Sequence, residues 1–339
     1  MNVLVAFEGY GNETAGAERM ARRTTTALRD RGHRVAVLTR SPHPSAEAWP
    51  ATAPGFRPDV VHAFDLARPD TVVEAGGIAE RYGAGFVVTP CSTVEVWPDR
   101  ERGSAVCRAA DAVFALTDAE ADDLRRLGVP ASRIRPLPSA PDLTAAADPA
   151  RFRRDFGVDG PIVLFLGRRM VSKGYRTLLS AAPLIWSRIP RATLMFAGPD
   201  SEPEAAQYFR DHADPRIVDL GTVGEQTKHD ALAACDVLCL PSTADVFPLV
   251  FAEAWSCGRP VVTGDFPGAD RVVRHGVDGL VVTPRPGPVA EALTGLLLDD
   301  ARRTGMGRAG RRRAAREFGW DRVAESCTRA YREATGVRS

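Results

Sequence analysis

The chain has 339 residues, 44% of them hydrophobic, which is enough to bury two cores and indicates two domains. Its formal net charge of +1 gives no reason to expect a nucleic-acid partner. No run of about 18 apolar residues is present, so we expect no transmembrane segment. The first ten residues lack the basic start of a signal peptide, and the six cysteines lack Cys-x-x-Cys spacing, so we expect reduced thiols in a cytoplasmic protein.

The chain opens as a Rossmann-like unit. The pattern predicts a strand at Val3–Phe7, a Gly-containing loop over 8–16, a helix over about 17–31 and a strand at Arg34–Thr39. A dinucleotide site is disfavoured, because Thr14 stands where the third glycine of the fingerprint belongs. The second strand also ends at Thr39 without the acidic residue that would bind a ribose.

Two later strands of the first half lead into loops with polar side chains. The strand Pro58–His62 ends at a histidine, which we interpret as structural rather than catalytic, and Phe86–Pro90 runs into Cys91 and Ser92. Thr117 is a good N-cap and Glu120 completes a capping box for the helix that follows. Turn-rich sequence over 138–149 then predicts a domain boundary near residue 148.

The second half repeats the alternation of strands and helices. A buried strand, Pro161–Gly167, is followed by a loop with Arg168 and Lys173 and by a helix that starts near Tyr175. Further strands are predicted at 192–198 and 217–221, and a helix at 225–234. Lys173 and Lys228 are the only lysines among 44 basic residues; whether Lys228 is functional or a surface residue stays open. An arginine-rich helix over 301–316 is interpreted as a solvated face, because acidic residues flank it.

The stretch 236–264 contains the most informative pattern. Asp236–Leu240 is a short apolar run typical of a buried parallel strand, and the next helix begins with Pro248 at its first position. The N–H groups of Leu249 and Val250 at this helix start suit phosphate oxygens. Asp245 and Glu253, with seven residues between them, suit sugar hydroxyls. The stretch therefore predicts a ligand that carries both an anion and hydroxyls.

This acid-x7-acid pattern, followed by EAWSCGRPVV, resembles the E-x7-E signature of glycosyltransferase family 4. The loop from Gly167 to Gly174 resembles the family's G-R-x4-K-G element, and residues 15–19, AGAER, resemble its GGAER loop. The resemblance implies an α/β fold of GT-B architecture, with two Rossmann-like domains whose parallel sheets face each other across a cleft. It departs from the family at Asp245, where the first glutamate is expected.

The resemblance also implies a role for each matching residue. The donor diphosphate would be bound by Arg168, Lys173, Gly16, Leu249 and Val250; the ribose by Glu253; the nucleobase near Val223; and the donor sugar by Asp245, Phe247 and Pro248. Asp245 would be the catalytic carboxylate, supporting the oxocarbenium-like character of the sugar. The domains would be an acceptor domain at 1–148, a nucleotide-sugar domain at 149–317 and, at 318–339, a helix that returns to the first domain.

The expected reaction is retaining transfer of a hexose from a nucleotide diphosphate donor, with UDP preferred, to a small soluble acceptor. No Asp-x-Asp cluster is present and two cations already serve the phosphates, so we expect no metal. We expect no cofactor either, since the nucleotide sugar is a substrate. The sequence leaves the acceptor, the sugar and the oligomeric state open.

Two other functions stay open. Cys91 and Ser92 stand where many family members have a histidine near the donor sugar, and Asp245 is shorter than glutamate. Both changes favour a GT-B protein with altered or lost catalysis that binds a sugar nucleotide or serves as a partner subunit. An NAD-dependent oxidoreductase is the third possibility, and the first glycine loop argues against it.

Overall fold

A computed structural model describes residues 1–9, 16–40, 49, 55–143 and 146–336. The chain divides into two compact units: residues 1–139 together with 319–339 form unit 1, and residues 140–318 form unit 2. The first unit therefore ends at Ser139 rather than at residue 148, and the second ends at Phe318 rather than at residue 317. The turn-rich segment predicted as a linker begins unit 2, because the backbone of Asp142 is hydrogen-bonded to Glu253 and Lys228 of that unit.

Unit 1 is built on a parallel sheet of six strands in the order β2-β1-β3-β4-β5-β6. The strands are β1 Asn2–Ala6, β2 Arg34–Leu38, β3 Val60–Phe64, β4 Gly85–Thr89, β5 Ala112–Ala115 and β6 Ile134–Pro136. Its helices are α1 Gly16–Asp30, α2 Pro69–Tyr82, α3 Arg100–Ala109, α4 Asp118–Arg126 and the C-terminal α13 Trp320–Ala334. The central strands are buried along their length, as expected for a parallel sheet covered on both faces.

Unit 2 repeats this design with the strand order β12-β11-β10-β7-β8-β9. Its strands are β7 Ile162–Leu166, β8 Thr193–Ala197, β9 Ile217–Gly221, β10 Val237–Leu240, β11 Val261–Gly264 and β12 Gly279–Val282. Its helices are α5 Pro149–Asp155, α6 Tyr175–Trp186, α7 Ala205–Asp211, α8 Glu225–Ala234, α9 Leu249–Ser256, α10 Ala269–Val272, α11 Pro286–Leu298 and α12 Asp300–Glu317. The predicted α/β class is confirmed.

Each sheet has one point at which the strand order reverses. In unit 1 it lies between β1 and β3, and in unit 2 between β7 and β10. The loops that leave the carboxyl ends of two such strands run to opposite faces of the sheet and open a crevice between them, where ligands of doubly wound folds bind. In unit 2, the loops after β7 and β10 are therefore where a ligand is expected to bind.

His62 lies inside β3 rather than at its end, because the strand continues to Phe64. Its ring is fully buried: Nδ1 is 2.6 Å from the Tyr331 hydroxyl of α13, and Nε2 is 2.7 Å from Thr89 Oγ1 of β4. Burial lowers the pKa of His62 to about 3, so the ring is neutral at pH 7. The structural interpretation of His62 is confirmed, since both ring nitrogens join elements of unit 1.

The capping box predicted at α4 forms in altered geometry. Thr117 Oγ1 accepts a hydrogen bond from the Glu120 N–H, as predicted. The Glu120 carboxyl group, however, accepts from the Leu116 N–H at 2.6 Å instead of from Thr117. Burial raises the pKa of Glu120 to about 8, because little solvent reaches a side chain folded back over the helix start.

Three further predictions from the sequence concern the cysteines, membrane-spanning helices and the arginine-rich helix. All six cysteines are free thiols, and four of them are buried. No helix in the described ranges combines the length and apolar character needed to cross a membrane. In the arginine-rich α12, Arg313 turns inward to Asp278 and lies over the Trp255 ring, while Arg308 and Arg312 are exposed.

Replacing His62 tests the buried histidine through pH. The pKa of the ring in the folded protein lies below the ordinary value of 6.5. The stability that the neutral ring contributes to the fold is therefore present above pH 6.5 and is lost as the pH falls towards 3. Relative to His62→Gln, the wild-type unfolding free energy should fall by roughly 1.4 kcal/mol per pH unit in this window. Urea unfolding at pH 7, 5 and 4 measures this difference, and parallel pH curves for the two proteins would contradict it.

Candidate functional site

The loops after β7 and β10 are in contact at the carboxyl edge of the unit 2 sheet. Gly174 follows the β7 loop with a φ of 81°, and a Cβ atom at this position would lie 2.2 Å from the Pro241 carbonyl oxygen. Only glycine fits a position with both constraints. The Thr243 N–H donates to the Ser172 carbonyl at 2.8 Å. The two loops are therefore held together by backbone packing and hydrogen bonding.

This contact brings Lys173 to Asp245. Lys173 Nζ lies 2.5 Å from Asp245 Oδ2, and the two side chains are only 20% and 10% exposed. Asp245 Oδ1 accepts from the Val246 N–H at 3.2 Å, which orients the carboxylate. The structure thus joins the predicted diphosphate cation and the predicted sugar carboxylate, which are 72 residues apart in the chain.

The two arginines after β7 have different surroundings. Arg169 is buried, forms ion pairs with Asp200 and Asp219, and lies over the Phe209 ring. Arg168, one residue earlier, is exposed. Its guanidinium has no ion pair with any residue that the structure describes. Arg168 is therefore available to a ligand, whereas Arg169 stabilises the fold.

Helix α9 begins beside the lysine–aspartate pair. Pro248 is its N-cap, with φ −63° and ψ 112°, and not its first helical residue, so the predicted start was wrong by one position. The N–H groups of Leu249 and Val250 lie in the first helical turn, where no intrahelical acceptor exists. Phe247 packs edge-on against Phe318 with 5.5 Å between ring centroids, which anchors the loop to the unit 2 core.

Glu253, the second acid of the pattern, is buried on α9. It is 3% exposed, and its Oε1 atom accepts from Lys228 Nζ at 2.8 Å and from the Asp142 N–H at 3.3 Å. Lys228 also contacts Glu225 Oε2 at 2.7 Å. Each of the two lysines of the chain therefore pairs with one acid of the acid-x7-acid pattern. The sequence could not predict that Lys228 pairs with Glu253, because α8 and α9 come into contact only when unit 2 is folded.

The remaining predicted residues are Val223 and Gly16. Val223 is partly exposed in the loop between β9 and α8, at the same carboxyl edge of the unit 2 sheet. Gly16 begins α1 of unit 1 and is exposed, while Ala15 and the preceding residues 10–14 lie outside the described ranges. Gly16 thus belongs to the other unit from the remaining candidate residues.

The corresponding edge of unit 1 contains Asp65 and Cys91, both in the left-handed region, with φ values of 72° and 59°. Ser92 Oγ lies 3.4 Å from Asp65 Oδ1. Although Cys91 is partly exposed as a residue, little solvent reaches its thiol, and this desolvation together with the nearby carboxyl groups of Asp65 and Glu120 raises the pKa of the thiol well above its ordinary value. This thiol therefore stays protonated at neutral pH and cannot replace a histidine as a base. Trp97 is buried, with its indole N–H donated to the Ser92 carbonyl.

Family models match both units. The model described as "Glycosyl transferases group 1" matches residues 160–299, and the model described as "Glycosyl transferase 4-like domain" matches residues 45–140. The chain belongs to glycosyltransferase family 4. The expected family is thereby confirmed, on the region of unit 2 that contains Lys173, Asp245 and Glu253.

Curated relatives of this family 4 chain include the D-inositol 3-phosphate glycosyltransferase of Xylanimonas cellulosilytica. It is 34% identical over 250 residues, which cover 69% of this chain and 59% of that protein. The D-inositol 3-phosphate glycosyltransferase 1 of Catenulispora acidiphila is 34% identical over 252 residues, which cover 68% of this chain and 59% of that protein. The matches therefore span less than two thirds of these relatives.

Solved structures confirm the GT-B fold of this family 4 chain. A sucrose-phosphate synthase from Thermosynechococcus elongatus has a TM-score of 0.82 at 21% identity, with 99% of both chains covered. HepE from Anabaena, solved with UDP and glucose, has a TM-score of 0.79 at 21% identity, covering 97% of this chain and 98% of that one. At these identities the likeness concerns the fold alone.

The neighbouring arginines of the β7 loop offer a matched test of burial. Arg169→Met removes two ion pairs from a buried guanidinium, so we expect it to lower the unfolding free energy by about 2 kcal/mol. Arg168→Met changes an exposed side chain and should stay within roughly 0.5 kcal/mol of wild type. Urea unfolding of both variants measures the contrast, and equal losses would show that the two positions are not distinguished by burial.

Proposed function

We propose that this chain is a retaining glycosyltransferase that moves a hexose from a UDP-sugar to a small polyol. The observation that carries the proposal is the pairing of Asp245 with Lys173 and of Glu253 with Lys228, beside the start of α9. Here cations, carboxylates and unbonded backbone N–H groups meet at the crevice between β7 and β10. A nucleotide sugar carries the matching groups: a diphosphate, a ribose and a hydroxylated sugar.

The diphosphate would bind to Arg168, Lys173 and the start of α9. When the bond to the sugar breaks, the leaving diphosphate gains negative charge, and fixed cations stabilise that charge more than the ground state. The exposed guanidinium of Arg168 can contact two oxygens at once, while Lys173 provides a compact charge. The N–H groups of Leu249 and Val250 would add hydrogen bonds in the positive field of the helix start.

Asp245 would accept hydroxyl groups of the donor sugar and stabilise positive charge at its anomeric carbon. The carboxylate has about four lone-pair sites, and Lys173 and the Val246 N–H account for two of its contacts. Aspartate reaches Lys173 at 2.5 Å, so its shorter side chain is held close to the diphosphate site. Phe247 and Pro248 would line the donor sugar next to it.

Glu253 would accept the ribose hydroxyls, and the loop at Val223 would contact the base. The UDP preference is supported by the HepE structures with UDP and UDP-glucose. A cyclitol acceptor is supported by the inositol 3-phosphate named for the curated relatives. Retention is what the resemblance to family 4 implies.

A second function has one observation in its favour. Cys91 stands where many relatives have a histidine, and its raised pKa removes it as a base. A protein that binds a sugar nucleotide without transferring the sugar is therefore the alternative. We propose no cofactor and no metal for either function, since Lys173 and Arg168 would provide the positive charge that the diphosphate needs.

Ligand binding tests the donor site. Isothermal titration of UDP, GDP and dTDP should give affinity for UDP, and UDP at ~100 times its dissociation constant should stabilise the protein by about 2.7 kcal/mol. Arg168→Met should weaken UDP binding by roughly 10- to 100-fold, as expected for the loss of a charge-assisted hydrogen bond. The matched control is Arg154→Met, which removes an exposed arginine of α5. Failure of wild type to bind any of the three diphosphates would overturn the proposed function.

Product analysis separates transfer from binding alone. Wild type, UDP-glucose and an inositol phosphate should yield UDP and a glycoside whose anomeric proton coupling, measured by NMR, matches that of the donor. A product of opposite configuration would contradict retention. Tight UDP binding without release of UDP from any UDP-hexose and cyclitol would favour the alternative, non-catalytic function.

A further inference from the structure

Lys228 is a buried lysine whose ammonium is fully engaged by protein oxygens. The side chain is 4% exposed, and Nζ lies 2.8 Å from Glu253 Oε1, 2.7 Å from Glu225 Oε2 and 2.5 Å from the Asp142 carbonyl oxygen. An ammonium has three N–H donors, and three oxygens take them. Lys228 therefore has no donor left for a ligand and can act on one only through Glu253.

We propose that Lys228 is a positioning residue that fixes the Glu253 carboxylate and thereby sets selectivity for an intact ribose. This inference rests on the proposed function, in which Glu253 accepts the ribose hydroxyls.

The geometry fixes the orientation of Glu253. Its Oε1 atom accepts from Lys228 Nζ on α8 and from the Asp142 N–H of the segment that begins unit 2. Two donors from different elements restrict rotation of the carboxylate about its terminal bond. A carboxylate has about four lone-pair sites, so it can accept from several donors at once.

The charge of Lys228 supports the position of Glu253 in the protein interior. A buried carboxylate without a countercharge is costly, and such a group tends to turn towards solvent. The ammonium of Lys228, 2.8 Å from Glu253 Oε1, offsets that cost and keeps the carboxylate in place.

Lysine is the residue type that suits this location. The chain uses arginine for all but two of its 44 basic residues, and both exceptions contact the acid-x7-acid pattern. A compact ammonium can direct three donors to oxygens from α8, α9 and the segment at Asp142. A planar guanidinium directs its donors within one plane and needs more space.

A comparison of two nucleotides tests the inference. Wild type should bind UDP at least roughly tenfold more tightly than 2′,3′-dideoxy-UDP, because two hydroxyl bonds to a charged group are lost. In Lys228→Met this preference should fall towards 1, with affinity for dideoxy-UDP changed less than about twofold. Equal weakening of both nucleotides would mean that Lys228 only supports the fold, and would overturn the inference. Absence of UDP binding by wild type would instead overturn the proposed function, and this inference with it.

A control variant addresses disturbance of α8. Arg151 of α5 forms an ion pair with Asp230, a buried residue of α8, the helix that contains Lys228. Arg151→Met therefore removes a contact of α8 that involves neither Lys228 nor Glu253. This variant should retain the wild-type preference for UDP. Loss of the preference in Arg151→Met as well would attribute the effect to helix packing and overturn the inference.

A measurement on the wild-type protein avoids dependence on the folding of the variant. Labelling with ε-15N-lysine should give two side-chain signals, because the chain has two lysines, and Lys173→Met assigns them. The Lys228 signal should shift with UDP and shift clearly less with dideoxy-UDP, while the Lys173 signal responds to both diphosphates. A Lys228 signal that responds equally to both nucleotides, or to neither, would overturn the inference.

Discussion

The candidate site depends on the pairing of two carboxylates with two ammonium groups. Lys173 comes from the loop after β7, Lys228 comes from α8, and both acids follow β10. One pair spans the point at which the strand order reverses, and the other joins α8 and α9 to the segment that begins unit 2. Buried ions need close partners of opposite charge. These two pairs therefore hold both the charged side chains and the loops of the site in position.

The two units share one topology but differ in the chemistry of their carboxyl edges. In unit 1 the buried histidine is used to join β3, β4 and α13, and the Cys91 thiol stays protonated. In unit 2 the corresponding edge has ionised groups beside a helix start. Among the described residues, the two lysine–carboxylate pairs beside a helix start belong to unit 2, which agrees with the donor site proposed there.

Neighbouring residues of one type have different roles because burial differs. Arg169 turns into the protein and forms ion pairs, whereas Arg168 turns outward and stays available. Sequence alone identified Arg168 through its family motif but missed the structural role of Arg169, since two successive arginines after a strand give no sign of which one is buried. Similarly, the sequence pattern predicted that the strand ends at His62, although β3 continues to Phe64.

The sequence by itself determined the α/β class, most of the strands, and the acid-x7-acid pattern. These depend on residues close in the chain: apolar runs mark β7 and β10, and α8 occupies the predicted range 225–234. Only the tertiary structure decided that unit 1 ends at Ser139 and that Lys228 partners Glu253. The contacts of Glu253 span 25 and 111 residues, and local periodicity contains no information about pairs so far apart.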